Sequence, residues 1–548
     1  MFSRLTRTSV RRMVVNEPMF NYAPGSPERK ALYESVSKIH NTVEDIPLVI
    51  GGKEIYDGAE IKQQVSPYDH QNVLANYRWA SEKHLNDAIN ASMAVRKEWE
   101  RTDIQDRAAI FFKAADLLAT KYRAEICART MAGQAKNAWQ AEIDAACELI
   151  DFFRFNAHYA LEQEKSQPLS PDVPAISNAC KYRGLEGFVA AIAPFNFTAI
   201  SGNLAGTPAM MGNVVLWKPS DTCVSSSWLI FKIMVECGLP KDVIQFVPAD
   251  GPVFGNAITN SPDLAAINFT GSVPTFEWLW SAVGKNISNY KGFPKLVGEC
   301  GGKNYHFMHP SGDVGSMVAG TIRSGFEYSG QKCSACSRCY VPESLWPQVK
   351  EGLLNIHKDI KLGRADQPET FVSAVIDDKS FDRNSHWLDV AKNDPELTVI
   401  AGGNYDNSVG YFIEPTIIQT TNSKNPIMST ELFGPVVTIY VYKDQDWKEV
   451  IEEIPTTSPY ALTGGIYVKD EAAKAYTIDA LRESAGNFYV NDKSTGSVVG
   501  QQWFGGARKS GTNDKAGGPT YVNKWVSPQS VKTTTVDLHE WRYPSMDV

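Results

Sequence analysis

Three cysteines recur at every third position within one short segment of the chain: Cys333, Cys336 and Cys339. This spacing suits a metal ion or an iron–sulfur cluster, but a ferredoxin-type run needs a fourth cysteine where this chain has Glu343. Two closely spaced histidines, His306 and His309, belong to a different segment. The ligand set is therefore incomplete in this part of the sequence, and we predict no metal site.

Cys333 follows Lys332 and precedes small residues, which is the setting of a nucleophilic thiol. Such a thiol needs a general base and a hydrogen-bond donor for the oxyanion that forms on the substrate. Glu299, which is followed by two glycines within three residues, is a candidate base. Asn196, which follows an apolar run, is a candidate oxyanion donor. Taken singly, these residues also have plain structural explanations, as a buried thiol, a surface acid and a turn former.

The signals for a dinucleotide cofactor are indirect. No Gly-x-Gly-x-x-Gly fingerprint follows any apolar run of the sequence. Residues 269–275 instead read Phe-Thr-Gly-Ser-Val-Pro-Thr, a predicted strand end followed by a helix that begins near Pro274. Amides at such a helix start can bind a pyrophosphate, and Lys218, at the end of an earlier predicted strand, can bond ribose hydroxyls.

The elements that must position these residues alternate along the chain. Residues 81–155 place apolar side chains three and four apart, which predicts a run of helices. Short apolar runs then alternate with helix-like segments such as 225–237, which predicts a parallel sheet wrapped by helices. The runs span residues 187–193, 214–217, 243–247, 265–269 and 295–297. Ligands bind at the carboxyl ends of such strands, so the turns after them are the expected site.

A second alternating region follows, at residues 301–506, and predicts a second α/β domain. Its predicted strands are 337–341, 436–441 and 487–490. The tail, residues 521–548, has β-type residues and no helical pattern, and we expect it to add a strand to another sheet or subunit. A chain of 548 residues corresponds to about three to four structural units, which fits this division.

Composition narrows the class of function. The formal net charge is -8, so we expect no nucleic-acid partner. Residues 187–217 carry no charged side chain, but their prolines, glycines and asparagines exclude a membrane span. The nine cysteines fit the reduced thiols of an intracellular protein. Residues 1–16 carry arginines, serines and threonines and no acid, which predicts a mitochondrial transit segment.

Six short motifs occur in the order typical of one enzyme family: Pro194-Phe195-Asn196, Lys218-Pro219-Ser220, Phe269-Thr270-Gly271-Ser272, Glu299-Cys300-Gly301-Gly302-Lys303, Gly330-Gln331-Lys332-Cys333 and Glu431-Leu432-Phe433-Gly434-Pro435. On these motifs the sequence resembles the aldehyde dehydrogenase superfamily over roughly residues 30–540. Residues 330–337, 491–497 and 504–508 are similar, more narrowly, to the branch of that superfamily that oxidises glutamate 5-semialdehyde.

The resemblance implies an aldehyde dehydrogenase-like α/β fold with three parts. These are a Rossmann-variant NAD-binding domain, an α/β catalytic domain and a small oligomerisation flap. On this sequence they correspond to residues 40–157 with 186–298, to 299–517, and to 158–185 with 518–548. The resemblance also implies NAD as cofactor, a homodimer or larger homo-oligomer, and a place in the mitochondrial matrix.

The same resemblance assigns roles to individual residues. It makes Cys333 the nucleophile, Glu299 the base and Asn196 the oxyanion donor. The implied NAD contacts are Ala193, Pro194, Phe195, Lys218, Ser220, Gly271, Ser272, Val273, Pro274, Thr275, Glu431 and Phe433. The implied substrate contacts are Phe197, Lys332, Ser334, Gly496, Ser497 and Phe504.

The implied reaction is the oxidation of glutamate 5-semialdehyde to glutamate, a step of proline catabolism, through a cysteine hemithioacetal and thioester. Two other hypotheses stay open. One is a cofactor-free cysteine amidase or acyltransferase that uses Cys333 with Glu299 and Lys303, which leaves the other motifs unexplained. The other is a non-catalytic scaffold that keeps the fold, although every role-bearing side chain is present.

Overall fold

The computed structural model describes residues 14–546, so most of the predicted transit segment lies outside the described residues. The run of helices predicted for residues 81–155 is confirmed. Across the described part the helices are α1 (Pro27–His40), α2 (Glu82–Arg101), α3 (Ile104–Ala119), α4 (Arg123–Gln134), α5 (Ala138–Ala141), α6 (Glu148–Gln163), α7 (Thr198–Met210), α8 (Val224–Glu236), α9 (Gly251–Asn260), α10 (Val273–Lys285), α11 (Val314–Phe326), α12 (Trp346–Asp359), α13 (Asp378–Asn393), α14 (Trp447–Thr457), α15 (Glu471–Ala480) and α16 (Pro519–Val522).

The strands form two large sheets and several small ones. In chain order they are β1 (Glu44–Ile46), β2 (Leu48–Ile50), β3 (Lys53–Ile55), β4 (Glu60–Ser66), β5 (Asp69–Trp79), β6 (Ile176–Arg183), β7 (Phe188–Ile192), β8 (Val214–Lys218), β9 (Ile244–Phe246), β10 (Leu264–Thr270), β11 (Lys295–Glu299), β12 (Asn304–Met308), β13 (Cys336–Pro342), β14 (Leu397–Ala401), β15 (Tyr405–Asp406), β16 (Phe412–Ile413), β17 (Thr416–Thr420), β18 (Val436–Tyr442), β19 (Tyr460–Ala461), β20 (Thr463–Tyr467), β21 (Asn487–Val490), β22 (Ala507–Arg508) and β23 (Ser527–Thr534).

The first large sheet contains the five strands predicted between residues 187 and 297. Its order is β11-β10-β7-β8-β9-β2-β3, parallel except at β2 and β3. Alternate residues of β7 and β8 belong to two separate buried clusters, so the sheet is covered on both faces. Ile192 lies beside Lys218, and Thr270 lies beside Glu299. The carboxyl ends of β7, β8, β10 and β11 therefore share one edge.

The second large sheet has the order β14-β17-β18-β13-β12-β20-β21 and is parallel except for the β14–β17 pair. The strands predicted at 337–341, 436–441 and 487–490 are confirmed as β13, β18 and β21. Alternate residues of β12 and β13 also belong to two separate buried clusters. This sheet, too, is buried on both faces, as is usual for a largely parallel sheet.

One short connection, residues 300–303, joins the two large sheets. It leaves the carboxyl end of β11 at Glu299 and enters the amino end of β12 at Asn304. β13 runs parallel to β12 and begins at Cys336. The carboxyl edge of the first sheet therefore meets the amino edge of the second, and Cys333 lies at that junction.

The expected additional strand of the tail is β23, and it pairs with this chain's own β6. The pairing is antiparallel and runs from Ser527 opposite Arg183 to Thr534 opposite Ile176. Every second residue of β6 is exposed, so one face of this two-stranded ribbon stands open on the single chain.

The limits predicted for the flap differ from the elements in two places. Helix α6 continues beyond residue 158, because Ala157 and Ala160 keep its apolar face buried. Tyr521 and Trp525 belong to one of the two buried clusters that cover the first sheet. The largely exposed part of the tail therefore begins at β23.

Over residues 14–546, none of the helices has both the length and the apolar character needed to cross a bilayer.

Candidate active site

The loop that carries the nucleophile has a strained backbone. Tyr328 and Ser329 have φ angles of 53° and 54°, and Gly330 has a φ of 66°. A glycine is required at position 330, since an added Cβ would lie 2.1 Å from the carbonyl oxygen of Gly434. The loop therefore rests directly on the 431–435 motif and presents Cys333 just before β13.

The two glycines after Cys300 bring three chain segments together. A Cβ at Gly301 would lie 2.1 Å from the carboxylate of Glu431, and a Cβ at Gly302 would lie 2.6 Å from the carbonyl oxygen of Cys333. The backbone N–H of Gly302 donates to Oε1 of Glu431 at 2.7 Å. The connection between the sheets is thus packed against the nucleophile's own backbone.

Cys333 is half-buried, and burial, together with the nearby carboxylate of Glu299, raises the pKa of its thiol to about 12. The neighbouring Lys332 does not offset this effect. The ammonium group of Lys332 lies 3.3 Å from Oδ2 of Asp144 and 3.1 Å from Oε2 of Glu327, which offset its charge. The free thiol is protonated at neutral pH, so its attack on a substrate requires a base.

Glu299, the candidate base, ends β11. Its Oε2 accepts a hydrogen bond from the backbone N–H of Gly506 at 3.1 Å. A Cβ at Gly505 would lie 3.0 Å from its Oε1, so the Gly-Gly pair after Phe504 forms a close wall around the carboxyl group. Burial raises the pKa of Glu299 well above its ordinary range. Such a carboxylate is a stronger base than a solvated one, as general base catalysis requires.

Asn196 is fixed against the nucleophile's loop. It is 4% exposed, and its Nδ2 donates to the carbonyl oxygen of Gln331 at 3.1 Å. The Gln331 side chain is itself held, because its Oε1 accepts from the backbone N–H of Ile376 at 2.8 Å. The amide group of Asn196 has a second N–H, which can donate to an oxyanion formed at Cys333.

One cavity joins the nucleophile to the predicted substrate contacts. It encloses about 730 Å³, including its open mouth. All six residues predicted to bind substrate line it together with Cys333: Phe197, Lys332, Ser334, Gly496, Ser497 and Phe504. Oγ of Ser334 donates to Oγ1 of Thr495 at 3.0 Å, which ties the residue after the nucleophile to the loop of Gly496 and Ser497.

Sequence reasoning missed three acidic residues on the helical wall of this cavity, Asp144, Glu148 and Asp151. They lie on one turn of π-helix, Glu142–Cys147, and on α6 directly after it. Burial and the neighbouring Asp144 raise the pKa of Glu148 to about 8, and its Oε2 has no hydrogen-bond partner within residues 14–546. The available signal was their spacing of four and three residues in a largely apolar helix, which places acids on one face.

The residues predicted to bind NAD gather along the carboxyl edge of the first sheet. Three of them follow β7: Ala193, Pro194 and Phe195. Lys218 is the last residue of β8, and Ser220 follows it. Five more follow β10: Gly271, Ser272, Val273, Pro274 and Thr275. Ser272 caps α10, since its Oγ accepts from the backbone N–H of Thr275 at 3.4 Å. The first turn of α10 presents backbone N–H groups of the kind that bind phosphate.

Glu431 and Phe433 approach the same edge from the second sheet. The ring of Phe433 lies 5.7 Å from that of Phe195 at 80°. Burial raises the pKa of Glu431, whose carboxylate the N–H of Gly302 holds in place. A capped helix start, the Lys218 ammonium group and a fixed carboxylate fit the phosphates and hydroxyls of a dinucleotide.

Cys336 and Cys339 lie apart from the cavity, on β13. Their sulfur atoms are 3.6 Å apart, and with one nitrogen of His306 the three ligand atoms lie within 4.8 Å of one another. His306 is therefore close to the two cysteines although it belongs to a different segment of the sequence, because β12 and β13 are neighbours. Both ring nitrogens are already engaged, Nδ1 with Oγ1 of Thr321 at 3.0 Å and Nε2 as acceptor from the N–H of Ser494 at 3.2 Å. A bound metal would have to displace one of these hydrogen bonds.

The family model described as "Aldehyde dehydrogenase family" matches residues 56–531. The chain belongs to the aldehyde dehydrogenase family. The predicted fold class, an aldehyde dehydrogenase-like α/β fold, is thus confirmed. The mitochondrial delta-1-pyrroline-5-carboxylate dehydrogenase of Danio rerio is 58% identical over 97% of this chain and 96% of its own length. The Homo sapiens protein of the same name is 55% identical over 97% and 94%.

Solved structures agree with this family assignment. The Delta-pyrroline-5-carboxylate dehydrogenase from Mycobacterium tuberculosis bound with NAD has a TM-score of 0.94 and 42% identity, covering 98% of this chain and 99% of that chain. The 1-pyrroline-5-carboxylate dehydrogenase from Thermus with bound NAD has a TM-score of 0.88 and 28% identity, covering 96% and 100%.

In this aldehyde dehydrogenase fold, the position of Lys303 counts against the amidase hypothesis. Lys303 is buried, and burial and the neighbouring Arg338 lower its pKa to about 7. The charged groups that act on the pKa of Lys303 are Arg338, Glu431 and Cys336, and neither Glu299 nor Cys333 is among them. A Glu-Lys-Cys catalytic set would need the ammonium group beside both of these residues.

Proposed function

We propose that this aldehyde dehydrogenase is an L-glutamate γ-semialdehyde dehydrogenase, which uses NAD to oxidise glutamate 5-semialdehyde to glutamate. The substrate forms when water opens the ring of 1-pyrroline-5-carboxylate, which places the reaction in proline catabolism. The names of the relatives and the NAD bound in two of the similar structures support the proposal.

The observation that carries the proposal is the chemistry of one cavity. Cys333 shares it with Ser497, whose hydroxyl group suits a carboxylate, and with Ser334, whose hydroxyl group would turn from Thr495 to donate to that carboxylate. The cavity also contains Glu148, whose unpartnered oxygen suits an ammonium group. Phe197 supplies apolar surface for an aliphatic stem. Glutamate 5-semialdehyde carries an aldehyde, a carboxylate and an ammonium group on such a stem, so each of its groups has a counterpart.

The first step forms a bond between sulfur and the aldehyde carbon. Because the pKa of Cys333 is raised, the thiol must lose its proton as the aldehyde arrives, to Glu299 at neutral pH and to solvent at high pH. The oxygen of the resulting hemithioacetal accepts hydrogen bonds from the amide of Asn196 and from the backbone N–H of Cys333. When bound along the edge of the first sheet, NAD supplies the hydride acceptor that this oxidation needs.

The second step releases the product from the thioester on Cys333. Glu299 takes a proton from a water molecule, the water oxygen adds to the thioester carbon, and the carbon–sulfur bond breaks. The products are glutamate and the free thiol. One aldehyde, one NAD and one water thus give one carboxylate, one NADH and protons.

The assembly and the location are part of the proposal. The open face of the β6–β23 ribbon and the nearby Leu169, which is 92% exposed, suit a second copy of this chain, so we expect at least a homodimer. The arginine-rich residues 1–16 and the mitochondrial relatives support a place in the mitochondrial matrix.

The proposal is tested by NADH formation from purified protein with glutamate semialdehyde, and with propanal as an aldehyde without charged groups. We expect kcat/KM to be far higher for glutamate semialdehyde, and Cys333→Ala to lose all activity while NAD still quenches the protein fluorescence. Equal kcat/KM values for the two aldehydes would contradict the assigned substrate. Activity that survives in Cys333→Ala would contradict the mechanism.

A further inference from the structure

The chain segment before α1 lies against the mouth of the catalytic cavity. Asn16, Glu17 and Met19 line that cavity together with Cys333. Residues 16–22 are called the amino-terminal arm below. We infer that the arm, through Asn16, positions the loop of Gly496 and Ser497 and so sets the enzyme's preference for an acid-bearing aldehyde. This inference rests on the proposed function for the identity of the substrate.

Asn16 bridges two elements that are far apart in the sequence. Its Nδ2 donates to Oδ2 of Asp151 on α6 at 2.8 Å and to the carbonyl oxygen of Val499 at 2.7 Å. Its Oδ1 accepts from Nε2 of Gln501 at 2.8 Å. Both the donor and the acceptor ends of one amide are therefore used to tie the loop after Ser497 to α6.

The carboxylate of Asp151 depends on the arm. Asp151 is 3% exposed, and its second oxygen, Oδ1, accepts from the backbone N–H of Glu17 at 2.8 Å. Residues 16 and 17 thus supply a hydrogen bond to each oxygen of a buried acid. Losing them would leave a desolvated carboxylate without donors beside the substrate.

Ion pairs and hydrogen bonds hold the arm in place. The carboxylate of Glu17 pairs with Arg154 at 2.6 Å and with Arg123, both largely buried. The Arg123 guanidinium group lies 3.8 Å from the ring centre of Phe20, and the backbone N–H of Phe20 donates to Glu142 at 2.8 Å. Glu142 begins the π-helical turn that carries Asp144. The arm is therefore bound to the same helical segment that carries acidic residues of the cavity.

The loop at the other end of this bridge lies between two glycines. Gly496 and Gly500 have φ angles of 92° and 81°, so the backbone makes two left-handed turns around Ser497. Among the residues of that loop, Val499 is the one whose carbonyl receives the Asn16 amide. Fixing this point fixes the orientation of the hydroxyl and amide groups that face the substrate carboxylate, and a displacement near 1 Å costs up to about 100-fold in rate.

The position of Asn16 also bears on the transit segment. The transit segment predicted from the sequence ends at residue 16, so cleavage after that residue would remove Asn16 together with the targeting signal. If Asn16 is part of the working site, the processing cut falls before it, and the mature chain keeps the whole arm.

The test compares Asn16→Ala with Asn21→Ala, a matched change on the exposed side of the same arm. For the full-length protein we expect Asn16→Ala to lower kcat/KM for glutamate semialdehyde by about 10-fold to 100-fold while changing kcat/KM for propanal by less than about twofold. Asn21→Ala leaves both values and their ratio unchanged. An equal loss with both aldehydes, or no loss with either, would overturn the inference.

Hydrogen–deuterium exchange of the substrate-free protein provides a readout that is independent of the reaction. Amides of residues 495–502 should exchange faster in Asn16→Ala than in the wild type and in Asn21→Ala, while the β13 amides keep their protection. Unchanged exchange in 495–502 would overturn the positioning role. Failure of the wild type to oxidise glutamate semialdehyde would overturn the proposed function instead, and the exchange result would still decide whether Asn16 holds the loop.

Discussion

The side chain of Asn304 donates to the carbonyl oxygen of Cys333 at 2.6 Å. The same Nδ2 lies 2.9 Å from the carbonyl oxygen of Ala335, and Oδ1 accepts from the backbone N–H of Thr463 at 2.9 Å. One amide at the start of β12 therefore holds both sides of the nucleophile's turn and anchors it to β20. Since Asn304 is 2% exposed, these partners have no water to replace it.

Asn304→Ala should lower the free energy of unfolding by about 2 to 4 kcal/mol, because several buried backbone groups lose their partner at once. kcat should fall together with stability, since the thiol is no longer fixed. Chemical denaturation and NADH formation measure the two effects. Asn393→Ala, on the exposed face of α13, is the matched control, and equal stability of the two variants would show that the Asn304 contacts do not hold the turn.

The raised pKa of Cys333 predicts how the free enzyme reacts with iodoacetamide. With the pKa at about 12, the thiolate fraction and the alkylation rate should rise about tenfold per pH unit between pH 7 and 10, without a plateau. Cys180 is the other thiol that is not fully buried in the described chain, so a Cys180→Ala background isolates the signal. A plateau near pH 8 would mean that the thiol is activated in the free enzyme.

Glu299→Gln should slow hydrolysis of the thioester more than its formation. A neutral amide cannot accept the proton from water, whereas the thiol can still lose its proton to solvent at high pH. Rapid mixing at pH 9 should then show a burst of NADH followed by a slow steady rate. If burst and steady rate fall by the same factor, Glu299 is needed already for the attack by Cys333.

Ser497→Ala should lower kcat/KM for glutamate semialdehyde by about 10-fold to 150-fold, the equivalent of one hydrogen bond to a charged group at about 1.5 to 3 kcal/mol. Propanal, which has no carboxylate, should lose little. If Ser497 only completes a turn, both aldehydes should suffer alike, and the ratio of their kcat/KM values would not change.

Glu148 predicts a pH-dependent specificity. Its pKa is raised to about 8, so the carboxylate that attracts the substrate ammonium group forms as the pH rises from about 7 to 9. The kcat/KM ratio of glutamate semialdehyde to propanal should increase over this range in the wild type. In Glu148→Gln the ratio should be lower and should keep only the pH dependence of the substrate's own ring opening. Parallel profiles for the two proteins would contradict a role for Glu148.

The parts of the site that sequence could predict are those fixed by short-range patterns. Cys333, Glu299 and Asn196 each stand next to a strand end, and strand ends follow from apolar runs and turn residues. The sheet order then brings these ends to one junction. The substrate contacts came from the family resemblance and not from strand patterns, and they meet in one cavity because their segments lie at that junction.

The failures arose where distant segments set the chemistry. Lys332 precedes the nucleophile in the sequence, but Asp144, which is remote in the sequence, offsets its charge. His306 looked remote from Cys336, but adjacent strands carry both. The spacing of Asp144 and Glu148 is typical of a shared helical face, yet no local pattern says which cavity that face lines. Pairings of this kind depend on tertiary packing, which composition and periodicity do not encode.

The connection 300–303 sets the distance between the general base and the segment that holds the nucleophile. The base stands at one end of it and the residue that clamps the nucleophile stands at the other, with Gly302 pressed against the Cys333 carbonyl between them. Surface loops absorb extra residues at little cost, but here each added residue would push the base and the thiol apart. The number of residues from Glu299 to Asn304 is therefore fixed, and so is the absence of side chains at Gly301 and Gly302.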